Sequence, residues 1–105
     1  MLQQKFVTGL DRRLVHLSGC LATISHDGLD VRAVEEMMRG FHSLAGIGGT
    51  YGYGSITDAA RRGELVCRAA QELGRAADVE TLSGVLRTLS TLASTVATEL
   101  SRKAC

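Results

Sequence analysis

The sequence predicts an all-α fold, an antiparallel up-down four-helix bundle forming a single domain over residues 1–105. Apolar residues recur at spacings of three and four, the period of a helix with one buried stripe. Proline is absent, and clusters of turn-forming residues divide the pattern into four stretches.

The first stretch carries Phe6, Leu10, Leu14, Leu17, Leu21 and Ile24, and Ser25-His26-Asp27-Gly28 is expected to break it. Asp30 is placed to cap the second helix, because its carboxylate can accept a bond from a backbone N–H left free in the first turn. The stripe there is Val34, Met37, Phe41, Leu44, Gly48 and Tyr51, and Gly52-Tyr53-Gly54 ends it. Ser55 followed by Asp58 resembles a capping box and would open the third helix, with Ile56, Ala59, Gly63, Val66, Ala70 and Leu73 on its inner line. Gly74 to Ala77 form the next turn. Asp78 then caps a last helix built on Leu82, Val85, Leu89, Leu92, Val96 and Leu100, whose other face is Ser and Thr.

Composition narrows the function. Twelve basic residues against eleven acidic ones leave a net charge of +1, which provides no electrostatic footprint for nucleic acid or an anionic membrane. Cys20, Cys67 and Cys105 are an odd number without paired spacing, so free thiols and a cytoplasmic location are expected. Apolar stretches are interrupted by charge before membrane-spanning length, and Met1 to Lys5 lacks the order of a signal peptide.

One segment of the second helix departs from ordinary bundle sequence: Phe41-His42-Ser43-Leu44-Ala45-Gly46-Ile47-Gly48-Gly49-Thr50-Tyr51-Gly52. Each glycine inside a helix costs about 1 kcal/mol relative to alanine, so Gly40, Gly46, Gly48 and Gly49 need a reason if the helix runs through them. A loop between two shorter helices is the competing local reading. If helical, the buried stripe faces away from His42 by ~130°, which points His42 to solvent with Gly46 and Gly49 beside it. Gly48, on the buried stripe, would serve close packing. A neutral imidazole ringed by bare backbone is a nucleophile that another protein's active site can reach. The glycines are not a phosphate-binding P-loop, since no Lys-Ser or Lys-Thr follows them.

At these residues the chain resembles the histidine phosphotransfer (HPt) domain family. His42, Leu44 and Gly46, with Gly52 ten positions after the histidine, match the family's His-x-Leu-Lys-Gly pattern and its later glycine. Gly49-Thr50-Tyr51-Gly52-Tyr53 is similar to the Gly-Thr-Phe-Gly-Phe of chemotaxis-type kinases, and Ile56 and Glu64 fall where that subgroup has an apolar and an acidic residue. The resemblance implies a phosphorelay carrier that takes a phosphoryl group on His42 and exchanges it with the aspartate of a response-regulator receiver domain. A sensor histidine kinase would be the other partner. It implies a monomeric carrier with no cofactor, no bound metal, no ATP site and no enzymatic turnover of its own.

Arg39, Gly46 and Gly49 are then expected to support the phosphoryl site, and Glu35, Met38 and Ala45 to complete the partner-binding face. Ala45 stands where the family usually carries lysine. Arg39, or Arg61 and Arg62 on the third helix, could supply the missing cation. The same departure favours a different class of function, a degenerate helical module that docks to a receiver or kinase without being phosphorylated. A third class, a metal-binding bundle, has only His16 and Cys20 in its favour: four residues apart, they could share a metal, but no second ligand pair stands at a recognisable spacing. His26, among turn residues, is expected in solvent.

Overall fold

Every amide outside a helix needs its own partner, and this chain leaves few such amides: α1 (Leu2–Asp27), α2 (Val31–Thr50), α3 (Gly54–Leu73) and α4 (Val79–Ala104) account for almost all of it. The computed structural model describes residues 2–27 and 30–104, with side chains from 5–24 and 30–102. The four helices form an up-down bundle measuring 49 × 22 × 19 Å, in which α2 packs on α1 and α3, and α4 on α3 and α1. The described residues contain no strand, and no helix is long and apolar enough to cross a membrane.

The core is built from the expected stripes. Leu10, Leu17, Ile24, Met37, Phe41, Leu44, Ile56, Leu82 and Leu89 are completely or almost completely buried. Two stripe positions at helix ends are instead exposed, Tyr51 and Leu73, because each lies where its helix leaves the bundle. Asp30 caps α2 by accepting from Ala33 N–H at 3.0 Å. Asp78 does the same for α4 with Thr81 N–H at 3.1 Å, and hydrogen bonds from Thr81 hold the Asp78 carboxyl below its ordinary range.

Local readings at two helix ends need correction. α1 continues as helix through Asp27, past the expected break at Ser25; the side chain of His26 lies outside the described residues. The capping box at Ser55 and Asp58 does not form: α3 begins at Gly54 after Tyr53, which makes no side-chain cap. The entry into α3 is set by the turn before it. Tyr53 N–H reaches Gly48 O at 2.7 Å and Gly52 N–H reaches Gly49 O at 3.1 Å, with Gly52 at φ 81°, so the two bonds close α2 through a left-handed glycine. Tyr53 stacks on Phe6 at 5.1 Å between ring centroids and Tyr51 lies against the same ring at 4.6 Å, which ties the turn to α1.

Small residues bring α2 and α3 together. A Cβ on Gly63 would stand 2.6 Å from the buried Phe41 ring, and one on Gly48 would stand 2.7 Å from Thr57 Oγ1. Thr57, itself buried, donates from that hydroxyl to Ala45 O at 2.8 Å and so uses a carbonyl of the neighbouring helix. The packing predicts that Gly63→Ala destabilises the domain by about 1–3 kcal/mol in denaturant unfolding, since the fully buried Phe41 ring must shift to make room. An unchanged unfolding midpoint would show that the two helices can separate freely at this level.

Candidate functional site

Helix α2 runs unbroken through Gly40, Gly46, Gly48 and Gly49 to Thr50, which decides against the loop alternative for the glycines. Its buried side is Val34, Met37, Phe41, Leu44 and Gly48. His42 consequently emerges on the other side with 77% of its side chain exposed. Gly46 and Gly49 are exposed as well, and a Cβ at Gly46 would meet nothing within 4 Å. No contact inside the domain therefore requires a glycine at 46.

The imidazole is exposed, yet it is held. Nδ1 of His42 lies 2.9 Å from Oε2 of Glu64 on α3, and that carboxylate is only 13% exposed. An ionised carboxylate only accepts hydrogen bonds, so the proton of the neutral ring sits on Nδ1 and the lone pair on Nε2. Arg68, one turn further along α3, donates from Nη2 to the same Oε2 at 3.1 Å. The result is a three-member line, imidazole to carboxylate to guanidinium, at the edge between α2 and α3. The carboxylate fixes ring orientation, and the guanidinium fixes the carboxylate.

Burial one residue inward explains why Glu64 arrives in register. Phe41 and Gly63 are the close contact between the two helices, and His42 and Glu64 are the residues that follow them in each helix. The packed pair sets the spacing for the polar pair beside it.

The remaining residues expected at the site divide. Glu35 and Arg39 are exposed and face each other, with Arg39 Nη1 and Glu35 Oε1 at 3.9 Å. Among the described contacts Arg39 does not reach His42, so the cation joined to the histidine is Arg68, through Glu64. Arg61 and Arg62 are exposed and form no ion pair among the described residues. Met38 is partly buried against the core. Ala45 departs from expectation: at 7% exposure it packs inward beneath Thr57 and belongs to the α2–α3 seam, not to the outer face. Glu64 is legible in the sequence only by resemblance, and nothing there singles out Arg68 among the arginines of α3. A separation of 22 residues between His42 and Glu64 gives no periodic signal.

A one-nitrogen nucleophile with a fixed tautomer can accept an electrophile at Nε2 while its carboxylate partner takes up the positive charge that develops on the ring. No protein-family model, no curated protein and no solved structure matches this chain.

Proposed function

We propose that this domain is an HPt-like phosphoryl carrier of a two-component phosphorelay, accepting the group on Nε2 of His42 and exchanging it with the aspartate of a receiver domain. The observation that carries the reading is the 2.9 Å bond from His42 Nδ1 to Glu64 beneath an otherwise exposed ring. In the forward step the Nε2 lone pair forms a bond to phosphorus in an aspartyl phosphate. The P–O bond to the donor carboxylate breaks, and its electron pair stays on that carboxylate. The ring becomes an imidazolium at the moment of transfer, and Glu64 faces its Nδ1–H.

Phosphoryl transfer depends more on in-line positioning and charge neutralisation than on covalent machinery, and here the receiver would bring its own divalent cation and carboxylate. The bare backbone at Gly46 and Gly49 leaves room for that approach. A sensor histidine kinase would fill the same face when it is the donor. Arg68 offers a cation near the site that Ala45 cannot supply. A second reading, docking without phosphorylation, is favoured by Ala45 being buried with no cation of its own.

Labelling from phosphorylated receiver domains of the same organism separates the two. A carrier gives acid-labile, alkali-stable phosphate on the wild type and none on His42→Gln; binding without label from a broad panel of donors supports the docking module. Glu64→Leu is expected to slow phosphorylation by about 100-fold, because the acceptor that sets the tautomer and the counter-charge are both lost. Arg68→Gln should slow it by only about fivefold or less, as befits a half-exposed ion pair. Gly46→Ala should raise stability by about 0.5–1 kcal/mol, since the new Cβ meets open space, while impairing transfer. A Gly46→Ala protein that transfers at the wild-type rate would remove the steric role given to that glycine.

A further inference from the structure

We propose that His16, Cys20 and Glu36 form a zinc site that clamps α1 to α2, with one coordination position left open to solvent. His16 and Cys20 lie one turn apart on α1, so their side chains leave the helix on the same face. The missing ligand comes from the next helix. Glu36 Oε2 stands 3.7 Å from His16 Nε2 and 3.7 Å from Cys20 Sγ, and Sγ stands 3.8 Å from Nε2.

Three atoms at those separations make a nearly equilateral triangle whose centre is about 2.2 Å from each corner, and zinc bonds nitrogen and oxygen at about 2.0–2.2 Å and sulfur at about 2.3 Å. An ion just above the plane of the triangle reaches all three with shifts of a few tenths of an ångström. Without a metal the same atoms make only weak contacts: the Cys20 thiol donates to Glu36 Oε2 at 3.7 Å and lies 3.8 Å from His16 Nε2, both long bonds to sulfur. An imidazole nitrogen and a carboxylate oxygen at 3.7 Å are beyond hydrogen-bond length, so the three groups converge without a tight bond between His16 and Glu36.

The donor chemistry selects the ion. One nitrogen, one sulfur and one oxygen suit zinc, whereas calcium and magnesium take oxygen ligands. Thiolate and carboxylate together balance the two charges of the cation. Cys20 is buried at the helix seam, and burial first, then the Glu36 carboxylate, pushes its thiol up, so the metal-free site keeps the S–H proton. Metal binding forms the zinc–sulfur bond and releases that proton to solvent. Cys67 offers a contrast: it is fully buried on α3, its thiol pushed up to about 11 by burial, with no histidine partner among the described contacts. Asp30 and Arg32 border the same depression, and Asp30 is already engaged as the α2 cap. His16 and Glu36 keep 59% and 43% of their side chains exposed, which gives an ion a way in.

Glu36 lies six residues before His42, about 120° around α2, so the site is separate from the phosphotransfer face and does not rest on that reading.

The test uses the full chain, reduced and stripped of metal, titrated with cobalt(II) and then zinc. The expected result is one equivalent of cobalt giving a thiolate-to-metal charge-transfer band that one equivalent of zinc bleaches. Cys20→Ser should abolish the band and Cys67→Ser should keep it. His16→Gln and Glu36→Gln, which alter exposed side chains and should retain helix content by circular dichroism, should each weaken zinc binding by at least about tenfold. Absence of the band overturns the proposal. So does a band that survives Cys20→Ser, or zinc affinity unchanged in both surface variants.

Discussion

The close approach of α2 and α3, with the Phe41 ring against the bare backbone of Gly63, is the constraint on which the rest of this molecule depends. A side chain at position 63 would push the helices apart at the level of His42 and Glu64. Because His42 follows Phe41 and Glu64 follows Gly63, the separation of the hydrophobic pair becomes the separation of the polar pair. An exposed histidine is thereby given a fixed orientation without being buried. Thr57 bonded to the Ala45 carbonyl, and Gly48 against Thr57, hold the same seam further along.

The helices divide the work. α1 and α4 supply mostly apolar stripes, while α2 and α3 carry the histidine, its carboxylate and the guanidinium behind it. The Tyr51 and Tyr53 rings on Phe6 anchor the α2–α3 turn to α1, so the pair of chemical helices is fixed at its closed end. Exposure and rigidity usually oppose each other at a surface histidine. Here the conflict is avoided because one ring nitrogen is spent on Glu64 and the rest of the ring stays in solvent.

Much of the fold was legible from residue spacing alone. Phe6, Leu10, Leu17, Met37, Leu44, Leu82 and Leu89 all sit on stripes that a period of 3.6 picks out, and Asp30 and Asp78 cap as short acidic residues before apolar runs do. The exposed orientation of His42 follows from the same geometry. The departures have separate causes. Ser55 and Asp58 have the spacing of a capping box, but the left-handed Gly52 and the stacked Tyr53 had already fixed where α3 begins. The family position points Ala45 outward, although its angle on the helix turns it to the α3 seam. Glu64 and Glu36 each act across a helix interface, and such pairings leave no mark on the periodicity of either helix. They become visible only when the helices are laid side by side.

The chemistry proposed for His42 depends on Glu64 holding the proton of the neutral ring on Nδ1 and leaving Nε2 bare. Long-range proton–nitrogen correlation by NMR on nitrogen-15-labelled protein, at a pH where the ring is neutral, reads the tautomer directly. The predicted result is a dominant Nδ1–H form in the wild type that gives way to Nε2–H when Glu64 becomes Leu, which offers no acceptor. A wild-type ring carrying its proton on Nε2 would contradict it.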